Sequence, residues 1–240
     1  MTSSVRRSWV AEFGMTCVAP VTLGSDTALV VIDMQYLDAA RGRGVCLAAE
    51  RMESRSTDYY LNRLERTVVP SIARLIGVFR EREMQVIYLC IGSDYQDLRD
   101  VPPRVRQWIR NLEGASGVTD IFWSRNPDYE IRSELAPEPG DTVVQKRTFG
   151  AFNSSTLEEV LRGLGIRNLV IAGCATSVCV ETTARDAADR GYGTVLVDEC
   201  CADRDQEAHD ATMLAIQCSF GRIARTVDDV VTAIDARQSL

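Results

Sequence analysis

The sequence has one histidine, His209, among 240 residues, and that scarcity removes several chemistries at once. A zinc site built on paired histidines is impossible, and Cys200-Cys201 lacks the spaced CxxC partners of a structural zinc site. Metal chemistry is therefore not expected. There is no GxSxG nucleophile elbow and no Walker A loop, and the fragment Gly163-Leu164-Gly165 precedes an apolar run instead of following one. An excess of basic charge is missing too: 27 Lys and Arg stand against 34 Asp and Glu, a net charge of −7, the wrong balance for a general nucleic-acid surface. Long apolar runs are absent. Stretches such as Ala28 to Ile32 stop far short of the ~20 residues of a membrane helix, and the first residues lack the h-region of a secretory signal, so a cytoplasmic protein is expected. Eight cysteines are too few for a disulfide scaffold, and Cys90 and Cys174 sit inside apolar runs as small buried residues would.

What is present is alternation. Apolar runs at Thr27 to Ile32, Val86 to Ile91, Asn168 to Ala172 and Thr194 to Val197 are continuous rather than alternating, the habit of parallel strands buried on both faces. Thr142 to Gln145 and Arg222 to Ala224 are weaker strands. Between them, Leu61 to Glu83 carries an i, i+3, i+4, i+7 apolar stripe, and residues 156 to 163, 179 to 190 and 205 to 217 read as helices. The fold class expected is α/β, a three-layer αβα doubly wound, mainly parallel sheet of about six strands. Residues 1–26 form an N-terminal arm and 27–240 a single domain. Two stretches without a period, Gln35 to Asp58 and Gly92 to Gly140, are expected as loops and short helices over the site. Such sheets bind ligands beyond the carboxyl ends of their strands. There the runs lead into Asp33, Lys146 and, through a turn of small residues, Cys179. Cys179 falls where a helix begins, and exposed N–H groups and the positive dipole end would lower its thiol from about 8.5 towards neutrality. Spacing alone leaves open a second reading, in which Cys179 is another small buried residue. Asp203, Asp205, Glu207, His209 and Asp210 could be drawn as a metal cluster, but acidic residues in that arrangement suit the start of a helix.

Three segments carry a resemblance: ALVVIDMQ (28–35), ELAPEPGDTVVQKRTFGAF (134–152) and VIAGCATSVCVETTARDAADRGY (170–192). In order and spacing the chain resembles the isochorismatase-like cysteine hydrolase superfamily, which includes nicotinamidase, N-carbamoylsarcosine amidase, ureidoacrylate amidohydrolase and biuret hydrolase. The resemblance covers residues 27 to 235. It implies a catalytic triad of Asp33, Lys146 and Cys179, a cis peptide before Ala175, and an oxyanion hole from the N–H groups of Ala175 and Cys179. The implied reaction is metal-independent hydrolysis of a C–N bond in a small amide, ureide or carbamoyl compound through a thioester, with no cofactor. Alternatives are a nonenzymatic small-molecule binder on the same fold and an isochorismatase-type ether hydrolase. CIGSDYQDLRD (90–100) has no histidine, which disfavours the metal-bearing nicotinamidases, and Cys179 disfavours ether cleavage. Gln35, Tyr36, Trp108, Phe149, Phe152, Asn153 and Thr176 are candidate substrate-binding residues, while Arg185 and Asp186 are expected in structural pairs. Relatives usually assemble, so a homodimer or homotetramer is expected, with Trp9, Phe13 and Met15 of the arm needing cover.

Overall fold

The computed structural model describes residues 18–54, 56–236 and 240. Trp9, Phe13 and Met15 lie outside the described residues. Six strands form one sheet: β1 (Thr27–Ile32), β2 (Gln85–Ile91), β3 (Thr142–Lys146), β4 (Asn168–Cys174), β5 (Gly193–Ala202) and β6 (Arg222–Ala224). Every pair is parallel, and the order is β3-β2-β1-β4-β5-β6. The strand order reverses between β1 and β4, because the chain fills one side of β1 before crossing to the other. A crevice opens at such a reversal.

The central strands are apolar throughout because both faces are covered. In β1, Leu29 and Val31 join one core while Ala28, Val30 and Ile32 join the other. The first core is roofed by a long helical run and by α9 (Val227–Ala236). That run comprises α3 (Ser56–Arg63), a π turn (Leu64–Val68) and α4 (Val69–Glu81). Ile72, Leu75, Ile76 and Phe79 form the buried stripe of α4. The second core lies under α5 (Pro103–Ser116), α6 (Leu157–Gly163), α7 (Glu181–Asp189) and α8 (Gln206–Ser219). Two short helices, α1 (Tyr36–Ala39) and α2 (Gly44–Arg51), follow β1.

The aperiodic stretch 92–140 departs from the expected loops and short helices, whereas 35–58 does hold short helices. Residues 92–140 contain the 14-residue α5, and residues 35–58 contain the eight-residue α2. Helix α5 carries an i, i+3, i+4, i+7 apolar stripe, Val105, Trp108, Ile109 and Leu112, which was readable in the sequence but lies in a Pro-rich stretch that reads as loop. Its punctuation was in the sequence nonetheless: Pro103 opens the first turn and Gly117 closes it in the left-handed region at φ 70°. Helix α9 escaped notice too. By contrast, Asp205 caps α8 by accepting the Ala208 N–H at 2.7 Å, as acidic residues at a helix start should.

Candidate active site

Three strand ends supply the centre. At the end of β1, Asp33 adopts φ 52°, a region that Asp tolerates better than most residues, and its N–H donates to the Leu89 carbonyl at 2.9 Å. Lys146 ends β3 opposite Ile91 of β2, so β1 is two strands away, about 9–10 Å. Only a long side chain bridges that gap. Nζ of Lys146 lies 2.7 Å from Asp33 Oδ2 and donates to the carbonyls of Thr148 at 3.2 Å and Phe149 at 3.0 Å. Its three donors thus meet three partners, which is how a buried ammonium is tolerated. Both side chains are sealed from solvent, so Lys146 is no surface lysine.

The third strand end depends on Gly173. It faces Ile32 across β1 and β4, at φ 128°, and a Cβ there would sit 2.1 Å from the Ile32 carbonyl oxygen. Only glycine lets the two backbones meet closely enough to bring Asp33 beside the segment after β4. There the Cys174–Ala175 peptide is cis. A π turn, Thr176–Val180, leads without interruption into α7 and holds Cys179 in its first helical turn, buried. The Ala175 carbonyl accepts from Val178 at 3.1 Å and Val180 at 3.3 Å, whereas its N–H has no protein acceptor among the described residues. That N–H is free to serve a ligand.

The electrostatics overturn one expectation. Burial pushes the Cys179 thiol well above its usual range, the Asp33 carboxylate beside it pushes the same way, and Lys146 opposes them. The helix start does not win, because a full negative charge in a dry site outweighs partial dipoles. Burial also raises Asp33, against Lys146 and the Cys179 thiol. Burial disfavours the Lys146 cation, but Asp33 and Cys179 more than compensate, so its proton is held more tightly than in water. Burial thus works against ionisation of both Asp33 and Cys179, while Lys146 keeps its proton. Lys146 and the Cys179 thiol both bond to the Asp33 carboxylate, so the thiol proton faces a ready acceptor.

Cys179 opens into a cavity of about 290 Å³. Ile91, Trp108, Phe122, Phe149 and Val178 make its apolar walls, and Asp38, Arg104 and Arg204 add charged side chains to the lining. Trp108 meets Phe122 and Phe149 edge to face, with ring centroids 6.0 and 6.2 Å apart. Arg204 is paired with Asp38 at 3.0 Å, while the Arg104 guanidinium lies 5.8 Å from the Phe149 ring. A second cavity of about 220 Å³ shares Trp108 and Arg204.

With this geometry in view, comparison with protein families matches the isochorismatase domain over residues 27–228. The chain belongs to the isochorismatase family. Ureidoacrylate amidohydrolase RutB of Variovorax paradoxus is 33% identical over 214 residues, covering 86% of this chain and 81% of the relative. RutB of Agrobacterium fabrum is 30% identical over 218 residues, covering 88% and 91%. The fold agrees with that of a cysteine hydrolase from Pseudomonas syringae pv. phaseolicola 1448A, at TM-score 0.73 and 24% identity over 91% of this chain and 99% of that one. It also agrees with N-carbamoylsarcosine amidase from Thermoplasma acidophilum, at TM-score 0.59 and 24% identity over 82% and 95%.

In this isochorismatase-family chain the structure brings Asp33, Lys146, Cys179 and Ala175 together, with Trp108 and Phe149 on the cavity wall. The other expected substrate residues lie elsewhere. Gln35 is fully buried and spends its amide on the backbone: Oε1 accepts from Ile91 N–H at 2.8 Å, and Nε2 donates to Tyr129 O at 2.8 Å. Tyr36 accepts from Ser133 N–H and stacks under Arg43. Phe152 packs on Tyr192, Asn153 donates to Asp186, and the Thr176 hydroxyl is engaged by His209. None of these five lines the cavity. Arg185 pairs with Glu181, one helical turn away. Ile91, Asp38, Arg104, Phe122, Val178 and Arg204 escaped the sequence reading. The strand-end rule contained a signal for two of them, since Ile91 ends β2 and Arg204 follows β5 by two residues.

Proposed function

We propose that this protein is a metal-independent cysteine hydrolase that cleaves a C–N bond of a small amide, ureide or carbamoyl compound through a thioester on Cys179. The observation that carries the reading is the Lys146–Asp33 ion pair, 2.7 Å long and fully buried beside the cysteine. A carboxylate raised by burial is a competent base for a thiol that does not ionise by itself. Asp33 takes the thiol proton as sulfur attacks the carbonyl carbon. Lys146 balances the negative charge that then resides on sulfur and oxygen. N–H groups of Ala175 and Cys179 hold the oxyanion. As the C–N bond breaks, Asp33 gives the proton to the departing amine or ammonia. Water then attacks the thioester, Asp33 accepts a proton from it, and the thiol is restored with release of the acid.

The cavity, at about 290 Å³, is at the small end of ligand pockets, which suits a compact substrate. The amidohydrolase names of the RutB relatives support the reaction class. A cytoplasmic homodimer or homotetramer belongs to the same reading, and light scattering above 26.6 kDa is the expected result. The decisive test is ammonia or amine release from a panel of amides and ureides, with and without iodoacetamide. Cys179→Ala is expected to fold normally and lose turnover, and acid quench of the wild type is expected to trap an acyl adduct on the peptide containing Cys179. Substantial turnover by the alanine variant refutes the covalent route.

A further inference from the structure

The segment 203–209, which the reaction above does not use, packs behind the nucleophile turn. Asp203, buried at the end of β5, accepts the Ser177 N–H at 2.5 Å through Oδ2. His209, on the first turns of α8, is fully buried, and its Nδ1 lies 3.0 Å from the Thr176 hydroxyl. The other ring nitrogen, Nε2, lies 3.1 Å from Asp198 Oδ1, and the Arg63 guanidinium holds that same carboxylate. The Arg63 guanidinium also lies 3.2 Å from Nε2, so Asp198 and Arg63 hold the ring from this side while Nδ1 meets the Thr176 hydroxyl. Arg63 is fixed in turn by the carbonyls of Cys201 at 2.9 Å and Asp198 at 3.0 Å. A chain of four side chains, Arg63, Asp198, His209 and Thr176, thus runs from strand β5 to the turn that carries Cys179.

Thr176 and Ser177 stand between Ala175 and Cys179, the two residues whose N–H groups would hold the oxyanion. Gripping 176 and 177 from behind therefore fixes the aim of both donors and of the sulfur. We infer that His209 is a positioning residue for catalysis, and that it acts through the Thr176 hydroxyl, with Asp203 on Ser177 as the second grip. The inference rests on the cysteine-hydrolase reading above. His209 touches no reacting atom; its contribution lies in keeping the donors where charge develops, and misplacement on the scale of 1 Å costs about 10²-fold.

Two substitutions separate the ring nitrogens. Asn places a polar atom near the position of Nδ1, and Gln places one near Nε2. His209→Asn is expected to keep turnover within about threefold of wild type. His209→Gln retains the Asp198 side but loses Thr176, and is expected to lower kcat by roughly 10–100-fold with KM changed less than about twofold. Thr176→Val removes the same hydrogen bond from the other end, so it should reproduce that loss, and the double variant Thr176→Val with His209→Gln should lose no more than either alone. The rate of iodoacetamide alkylation of Cys179, read by mass spectrometry, supplies a second readout that needs no substrate. It is expected to shift in His209→Gln and Thr176→Val and to be near wild type in His209→Asn. Equal kcat in all variants, a loss confined to KM, or additive losses in the double variant overturns the inference. Should His209→Gln fail to fold, Thr176→Val and Thr176→Ser decide it, with Ser expected to retain turnover and Val to lose it. A wild-type protein that releases no amine and is not alkylated at Cys179 instead refutes the hydrolase reading itself.

Discussion

At the scale of single residues, the proposed mechanism depends on withheld ionisation. The Cys179 thiol is pushed up by burial and by Asp33, and Asp33, the base in the proposed mechanism, is itself raised by burial. Turnover needs Asp33 ionised, so kcat/KM should fall as the pH drops through a value above the usual carboxylate value of 3.8. Lys146 lowers Asp33, so Lys146→Met should move this acid limb further up and reduce turnover by roughly 10²-fold or more. It should also raise the pH at which iodoacetamide modifies Cys179, since the cation that favours the thiolate is gone. Lys146→Arg keeps the charge on a planar, bulkier head, so it should restore the limb more fully than the rate. Profiles of kcat/KM and of alkylation against pH check both, and an unchanged Lys146→Met removes this residue from the mechanism. Burial pushes other thiols up as well, Cys90 and Cys201 to about 12, but neither of these two lines the cavity.

Among the elements, the closest approach is the one between β1 and β4. Gly173→Ala would put a methyl group 2.1 Å from the Ile32 carbonyl oxygen at a φ of 128°, so the strands must part or the residue must change region. A cost of about 3 kcal/mol or more is expected, a fall in Tm of roughly 6–12 °C for a chain this long, together with loss of turnover as Asp33 moves away from Cys179. Gly77 in α4 provides the contrast. A Cβ there meets nothing within 4 Å, and Gly77→Ala should stabilise by about 0.5–1 kcal/mol. Thermal unfolding of the two variants makes the comparison. The strands were legible because burial on both faces leaves continuous Val, Ile and Leu runs, and Asp33, Lys146 and Cys179 were legible because they terminate such runs. Helix α5 was overlooked although Val105, Trp108, Ile109 and Leu112 make a stripe, because the prolines around it read as loop, and Gln35 and Thr176 were misread because their partners are a distant carbonyl and a distant histidine.

For the molecule as a whole, the strand order β3-β2-β1-β4-β5-β6 decides which residues become neighbours. Lys146 and Cys179 are 33 positions apart in sequence, and Asp33 is more than a hundred from either, yet all three share one edge. The acidic side chains at the end of β2 are committed elsewhere: Arg147 holds Asp94 at 2.6 Å and Asp100 at 2.9 Å. No group of three metal-ligating side chains with ligand geometry occurs among the described residues. Activity is therefore expected to survive EDTA followed by dialysis. A loss on chelation that added zinc or iron reverses would contradict this.

The two carbonyls that accept from Lys146 have a consequence for how such an enzyme can change its diet. Phe149, one of the residues held this way, is also a wall of the cavity, so the ammonium that the proposed mechanism uses also braces the shape of the cavity. Mutational drift in residues 148 and 149 would disturb rate and selectivity together. Helix α5 contributes Arg104 and Trp108 to the same cavity and makes no hydrogen bond to Asp33, Lys146 or Cys179. New preferences are open to evolution, or to a directed library, through that wall, where a substitution can alter what enters without loosening the group that drives the reaction.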